Sequence, residues 1–93
     1  MAKSIIQNDK RCYVCDTPYN LHEHHVFGGP NRKKSEHYGL KVRLCAYHHN
    51  MSDAGVHFDK NLDNQIKKTA QRVFELKKGS RELFMQEFGK NYL

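Results

Sequence analysis

Two short stretches in the first half of the chain alternate between residues of different polarity. One runs from Leu21 to Phe27, and in the other, from Leu40 to Leu44, two basic residues interrupt three apolar ones. Alternation with a period of two is typical of a β-strand that covers a core on one face. The turn signal Gly-Gly-Pro-Asn at positions 28–31 lies between the two stretches. We therefore predict two strands that pair as a hairpin with a long loop.

The second half of the chain has a helical pattern. Apolar residues recur every three or four positions over residues 62–78, which predicts a helix with Asn61 as its N-cap. Ser80 can cap a last short helix. A further short helix is expected after the second strand, over about residues 48–54, because Gly55 would end it.

The length of 93 residues predicts a single domain over residues 1–93. Residues 1–10 are polar and are expected to form a loose N-terminal arm. A strand pair followed by helices belongs to the α+β class. Chains this short bury only a modest core, and many of them add a metal ion or disulfides.

Three cysteines stand in a pattern that suits a metal. Cys12 and Cys15 are two residues apart, and Cys45 stands at the same spacing before His48. Two such half-sites supply the sulfur and nitrogen ligands of a tetrahedral, fully ligated structural zinc ion. Three cysteines cannot all pair as disulfides, so the pattern also favours a reducing compartment. Ordinary buried thiols are the alternative interpretation of these residues.

The chain is basic. Sixteen Lys and Arg residues against ten Asp and Glu give a formal net charge of +6, which suits a polyanionic partner such as nucleic acid. Arg32, Lys33 and Lys34 are candidate phosphate contacts, although they can also be a solvated loop. No apolar run suggests a signal peptide or approaches the roughly 20 residues of a membrane span. We therefore expect a cytoplasmic protein without a membrane partner.

Seven histidines all fall in the first two-thirds of the chain. They are His22, His24, His25, His37, His48, His49 and His57. A strand that carries His24 and His25 and faces a helix that starts at His49 could hold one divalent ion. Adjacent strand residues point to opposite faces, so His24 and His25 are not expected to bind the same ion. His22 and His37 are expected to be exposed, since surface imidazoles need no partner.

At these residues the chain resembles the HNH endonucleases, also called the His-Me finger or ββα-metal superfamily. It looks most like small phage-type members with an embedded zinc clamp. In such enzymes an Asp-His or His-His pair ends the first strand, and a Leu-Cys-x-x-Cys-His element ends the second strand and opens the helix. The matching residues are the pair His24-His25 and the run LCAYHH at 44–49, where His48 stands in place of the second cysteine.

The resemblance implies a fold and a set of roles. It implies a zinc-stabilised ββα-metal core over residues 12–58, followed by two C-terminal helices over residues 61–93. The stretches AQRVFE and FGKNYL in that tail also look like the phage group. By carry-over, a catalytic Mg²⁺, Mn²⁺, Ni²⁺ or Zn²⁺ ion is expected on His24 and His49, with His57 either a further ligand or a packing residue. His25 is the expected general base, because a neutral imidazole suits this task near pH 7.

One position departs from the family pattern. The middle asparagine of the family opens the second strand five residues before the cysteine, and Leu40 stands there in this chain. Asn31, Asn50 or a backbone carbonyl could orient the base instead. This departure leaves the identity of the orienting group open.

Two functions follow from these patterns. The spare histidines favour a DNA endonuclease that hydrolyses phosphodiesters with one metal ion. The missing asparagine and the positive charge also fit a non-catalytic zinc module that binds nucleic acid. So short a chain has little surface for reading a DNA sequence, and we expect weak specificity, or a homodimer or phage protein partner that supplies it.

Overall fold

The computed structural model describes residues 3–49 and 55–93. These residues form a two-stranded antiparallel sheet and four α-helices, so the α+β class is confirmed. In this part of the chain, no helix is both long and apolar enough to cross a membrane.

The two predicted strands pair as a hairpin. Strand β1 spans Leu21–His25 and strand β2 spans Lys41–Cys45, with His24 opposite Val42 and His25 opposite Lys41. Strand β1 ends two residues earlier than predicted, although the Val26 amide still donates to the Leu40 carbonyl at 3.0 Å, and Val26 and Phe27 are both buried in the core. The alternation of β1 therefore separates His24 and His25 onto opposite faces, as predicted.

Between the strands lies a helix where the sequence predicted a loop. A 3₁₀ turn over Gly29–Asn31 leads into helix α1, which spans Arg32–Tyr38. Gly39 ends this helix with a φ of 71°, a left-handed conformation that favours glycine. Helix α1 was missed because its sequence RKKSEHY has no apolar stripe, and only Ser35 is buried in it.

Helix α2 spans Ala46–His49 and follows β2 directly. It begins two residues earlier than predicted, and the remainder of the expected helix, residues 50–54, lies outside the described residues. The chain returns beside α2, where the Val56 amide donates to the His48 carbonyl at 2.7 Å and the His57 amide to the His49 carbonyl at 3.3 Å. These bonds place His57 next to α2.

The two C-terminal helices agree with the prediction except at one cap. Helix α3 spans Lys60–Lys77, and helix α4 spans Arg81–Phe88. Ser80 caps α4 as predicted, but α3 is capped by the Asp59 carboxylate, which accepts from the amides of Asn61 and Leu62. The predicted N-cap, Asn61, is therefore wrong. Aromatic rings form the centre of the core between these helices and the sheet: Phe27, Phe74, Phe84 and Phe88.

The N-terminal segment is not a loose arm over residues 4–7. The Ile5 amide donates to the Gly39 carbonyl at 2.9 Å, and the Arg43 amide donates to the Gln7 side chain at 2.8 Å. The Ser4 hydroxyl donates to the Lys41 carbonyl. The outer edge of β2 has backbone groups that need partners, and this segment supplies them.

Candidate metal centres and histidine cleft

The four predicted zinc ligands lie together at one end of the sheet. The ligand atoms of Cys12, Cys15, Cys45 and His48 are all within 4.8 Å of one another. The Sγ atoms of Cys15 and Cys45 are 3.7 Å apart, and Cys45 Sγ is 3.3 Å from His48 Nδ1. Ligands of a tetrahedral zinc ion are about 3.8 Å apart for two sulfurs and about 3.6 Å for sulfur and nitrogen. This Cys₃His cluster therefore fits a metal ion such as zinc.

A tight turn presents the first two cysteines. The Cys12 amide donates to the Thr17 carbonyl at 2.8 Å, and the Asp16 amide donates to the Cys12 carbonyl at 2.9 Å. Asp16 has a φ of 68°, a left-handed conformation that Asp tolerates better than most residues. The Tyr13 amide donates to the Arg43 carbonyl of β2 at 2.8 Å, which joins the turn to the sheet. The turn and its hydrogen bond to β2 therefore hold Cys12 and Cys15 beside Cys45.

The electrostatics of the cluster favour a bound cation. Burial opposes ionisation of Cys12, but the backbone N–H groups of Cys15, Cys45 and Val14 outweigh burial and lower its pKa to about 6. The N–H of Thr17 lowers the pKa of Cys15, yet burial and the neighbouring thiols raise it overall. Crowded thiolates repel one another, and a metal ion removes this repulsion because thiolates are its ligands.

A second cluster consists of His24 on β1, His49 on α2 and His57. Their ring nitrogens are within 4.8 Å of one another, and Nε2 of His49 is 3.1 Å from Nε2 of His57. His24 is only 7% exposed, and its Nε2 is buried with no hydrogen-bond partner among residues 3–49 and 55–93. Two imidazole nitrogens on one ion are about 2.9–3.4 Å apart, from metal–nitrogen distances near 2.0–2.1 Å. The cluster therefore fits a divalent transition metal, which would satisfy the orphaned nitrogen.

The surroundings of His24 and His49 favour the neutral imidazole, which is the form that binds a metal ion. Burial, followed by the neighbouring His49 and His57, lowers the pKa of His24 to about 4. Burial also lowers the pKa of His49, with His57 and His22 as further causes. Neutral rings with nearby lone pairs make a site for a cation.

His22 belongs to this cluster, although it was predicted to be merely exposed. It is half-buried on β1, and its Nδ1 is 2.9 Å from Nδ1 of His49. This contact engages one nitrogen of His49 and leaves the other for the cluster, an arrangement typical of histidines behind a metal ligand. The period of two from His24 was the available signal in the sequence. His37, by contrast, is exposed as predicted.

His25 lies on the other face of β1, where its ring contacts a carboxylate and not other imidazoles. Its Nε2 is 2.8 Å from a Glu36 carboxylate oxygen, and the other oxygen of Glu36 is 2.8 Å from Lys41 Nζ. The Lys41 hydrogen bond, followed by the His25 contact, lowers the pKa of Glu36 to about 2. Glu23, His25 and Glu36 also lie within reach of a common ion, but the Lys41 ammonium contacts both carboxylates. We therefore do not assign a metal to this group.

An open cleft of about 550 Å³ is lined by residues from both faces of β1. His24, His25, His49 and His57 line it together with three cationic and two acidic side chains, which are Arg32, Lys60, Lys67, Glu23 and Asp63. Asp63 pairs with Lys67 at 2.9 Å. Lys60 and Lys67 could not be singled out from the sequence, because nothing local separates them from the other lysines of a solvated helix.

The predicted basic patch divides into different positions. Arg32 lines the cleft, whereas Lys33 is exposed on α1 and does not line it. The Lys34 ammonium donates to the Glu87 carbonyl at 2.7 Å and is 3.8 Å from its carboxylate. Lys34 thus contacts the end of α4.

The groups expected to orient His25 do not do so in the described residues. The Asn31 side chain donates to the Phe88 carbonyl at 3.3 Å, and Leu40 is fully buried in the core. Asn50 lies outside the described residues. The contact to His25 comes from Glu36 instead, in the helix that the sequence analysis took for a loop.

No protein-family model, curated protein or solved structure matches this chain. What the protein does is therefore inferred from its own residues. They are a Cys₃His cluster, a three-histidine cluster with a buried unpartnered nitrogen, and a carboxylate-bound histidine beside it.

Proposed function

We propose that this protein is a metal-dependent DNA endonuclease of the HNH type, with His25 as its general base. One observation carries the proposal: adjacent residues of β1 enter different chemical environments at one cleft. His24 joins two other imidazoles with its Nε2 unpartnered, while His25 is bound by a carboxylate. A purely structural zinc module has no need of this division.

The metal ions have separate roles in this proposal. Zinc on Cys12, Cys15, Cys45 and His48 is structural, since four protein ligands leave no open position. His24, His49 and His57 would hold a second divalent ion. When bound, that ion supplies positive charge that polarises the scissile phosphate and stabilises the leaving oxygen. An all-imidazole site suits Mn²⁺, Ni²⁺ or Zn²⁺ better than Mg²⁺.

His25 carries out the proton transfer. Its free ring nitrogen accepts a proton from a water molecule, and the water oxygen forms a bond to phosphorus. The bond from phosphorus to the leaving oxygen breaks, and that oxygen takes a proton from solvent. A positioned base of this kind contributes about 10²–10⁴-fold to a rate.

Arg32, Lys60 and Lys67 are the proposed phosphate contacts, because they line the cleft beside the histidines. The formal net charge of +6 adds a general attraction to DNA. A homodimer or a phage protein partner could supply the specificity that so small a surface lacks. Cytoplasmic action on DNA in a phage-infected cell is the setting that we propose.

A plasmid-nicking assay with added Mg²⁺, Mn²⁺, Ni²⁺ or Zn²⁺ tests the proposal. We expect the parent to nick, and His25→Ala to lose about 10²–10⁴-fold in rate while it keeps its fold and its DNA affinity. His37→Ala is the matched control, since His37 is exposed away from the cleft. A parent that binds DNA but never nicks would instead identify a non-catalytic zinc module.

A further inference from the structure

We propose that Glu36 is the positioning residue of His25. Its carboxylate holds the imidazole so that Nε2 carries the ring proton and Nδ1 is free to accept a proton from water. This inference rests on the proposed function, because it assigns Glu36 a role in the same reaction. It also names the group that acts where the family pattern has an asparagine.

The distances from His25 identify Glu36, and not Glu23, as its hydrogen-bond partner. Nε2 lies 2.8 Å from a Glu36 oxygen but 4.0 Å from the Glu23 carboxylate, which is beyond hydrogen-bond range. The His25 side chain is 11% exposed, so little water competes for the contact. Within residues 3–49 and 55–93, no hydrogen bond engages Nδ1 of His25. Only one ring nitrogen is therefore committed to the protein.

The fold fixes Glu36 in place. His25 and Lys41 are directly opposite each other in the β1–β2 ladder, and the two oxygens of Glu36 contact one each. Lys41 is only 4% exposed. Lysines are rarely buried this far unless they are paired, and Lys41 is paired with Glu36. The chain turns from α1 back to β2 at Gly39. No larger residue fits there, because a Cβ would lie 2.2 Å from the Lys3 carbonyl oxygen. The carboxylate is thus held from both strands.

The chemistry of the pair follows from charge. Glu36 is ionised, so it can only accept hydrogen bonds, and Nε2 must be the donor. A proton taken from water at Nδ1 converts His25 to imidazolium beside this anion. Glu36 keeps its negative charge and stabilises the imidazolium, as the buried aspartate does in a Ser-His-Asp triad. Lys41 prevents the carboxylate from rotating away from the ring.

Imidazole nitrogen NMR measures the proposed state without any need for activity. Long-range proton–nitrogen correlation spectra of the zinc-loaded protein, in mildly alkaline buffer, report which nitrogen carries the proton, and a His25→Gln spectrum assigns the signal. We expect the Nε2–H tautomer in the parent and in Glu23→Gln. In Glu36→Met/Lys41→Met we expect a mixture of tautomers. The double variant removes the carboxylate and the buried ammonium together, so that it leaves no unpaired buried charge.

Nicking kinetics supply the second measurement. The double variant should lose about 10²-fold in kcat with its KM for DNA unchanged, because the base is misplaced and binding is not affected. Glu36→Gln should lose less, since its amide oxygen still accepts from Nε2. Glu82→Gln, at an exposed position of α4, is the activity control. Thermal melts and zinc content verify that each variant is folded.

The outcomes separate this inference from the proposed function. An unchanged His25 tautomer in the double variant, or parental kcat in it, would overturn the role of Glu36. A parent that never nicks but shows the Nε2–H tautomer would overturn the endonuclease and leave the orientation by Glu36 supported.

Discussion

Two adjacent histidines of α2 contribute to different clusters. His48 Nδ1 lies 3.3 Å from Cys45 Sγ, whereas His49 Nε2 lies 3.1 Å from His57 Nε2. Consecutive helical residues point about 100° apart, which follows from 3.6 residues per turn. The same side chain at neighbouring positions should therefore have different consequences when it is removed.

We expect His48→Ala to lose its structural zinc and at least about 4 kcal/mol of stability, the range for loss of a metal site. His49→Ala should keep its zinc and melt close to the parent, but bind the second metal more weakly and fail to nick. Thermal melts, zinc analysis and nicking rates of both variants test this difference. Equal destabilisation by the two substitutions would show that the histidines are assigned to the wrong clusters.

At the scale of elements, the sequence predicted what local patterns encode. The two strands and the two C-terminal helices were found because their periodicity reflects one buried face each. Helix α1 was missed, since a short polar helix has no such face. The contacts of Glu36 were missed with it, because its partners His25 and Lys41 meet only when the strands pair.

The candidate clusters were predictable to different degrees. Cysteine and histidine spacing identified the Cys₃His group, and the His24-His25 pair identified the cleft. Lys67 could not be chosen in advance, since its place at the cleft depends on where α3 packs. The period of two placed His22 on the face of His24, but its contact with His49 depends on where α2 packs. The side chains around a site are set by tertiary structure more than by local sequence.

Capping of α3 offers a direct test of the fold. Asp59→Ala should lower stability by about 1 kcal/mol, because two amides at the start of the helix lose their acceptor. Asn61→Ala is the matched control and should have a small effect, since Asn61 contributes its amide and not its side chain to the cap. Urea unfolding of the two variants decides between the caps. A larger loss for Asn61→Ala would contradict the observed helix start.

At the scale of the whole molecule, basic side chains from distant parts of the sequence meet at the histidine cleft. Arg32, Lys60 and Lys67 come from two helices that are distant in sequence, yet all line the histidine cleft. Lys68 and Lys77, also on α3, do not line the cleft and add to a diffuse positive charge. Short-range contacts and this general field should differ in their dependence on salt.

We expect Lys60→Gln to weaken DNA binding and to reduce the slope of log affinity against log salt by about 1, the signature of one lost phosphate contact. Lys78→Gln, at the far end of α3, is the control of equal charge and should change the slope little. Fluorescence anisotropy over a series of salt concentrations measures both. Equal slopes for the two variants would place the DNA elsewhere on the protein.

The N-terminal segment on β2 has a consequence for association between copies. A short sheet with a bare edge invites pairing with another chain and, at high concentration, aggregation. The backbone of β2 at Lys41 and Arg43 is already bonded to residues 4–7. This edge is therefore closed to intermolecular strand pairing, and a homodimer would have to form through another surface.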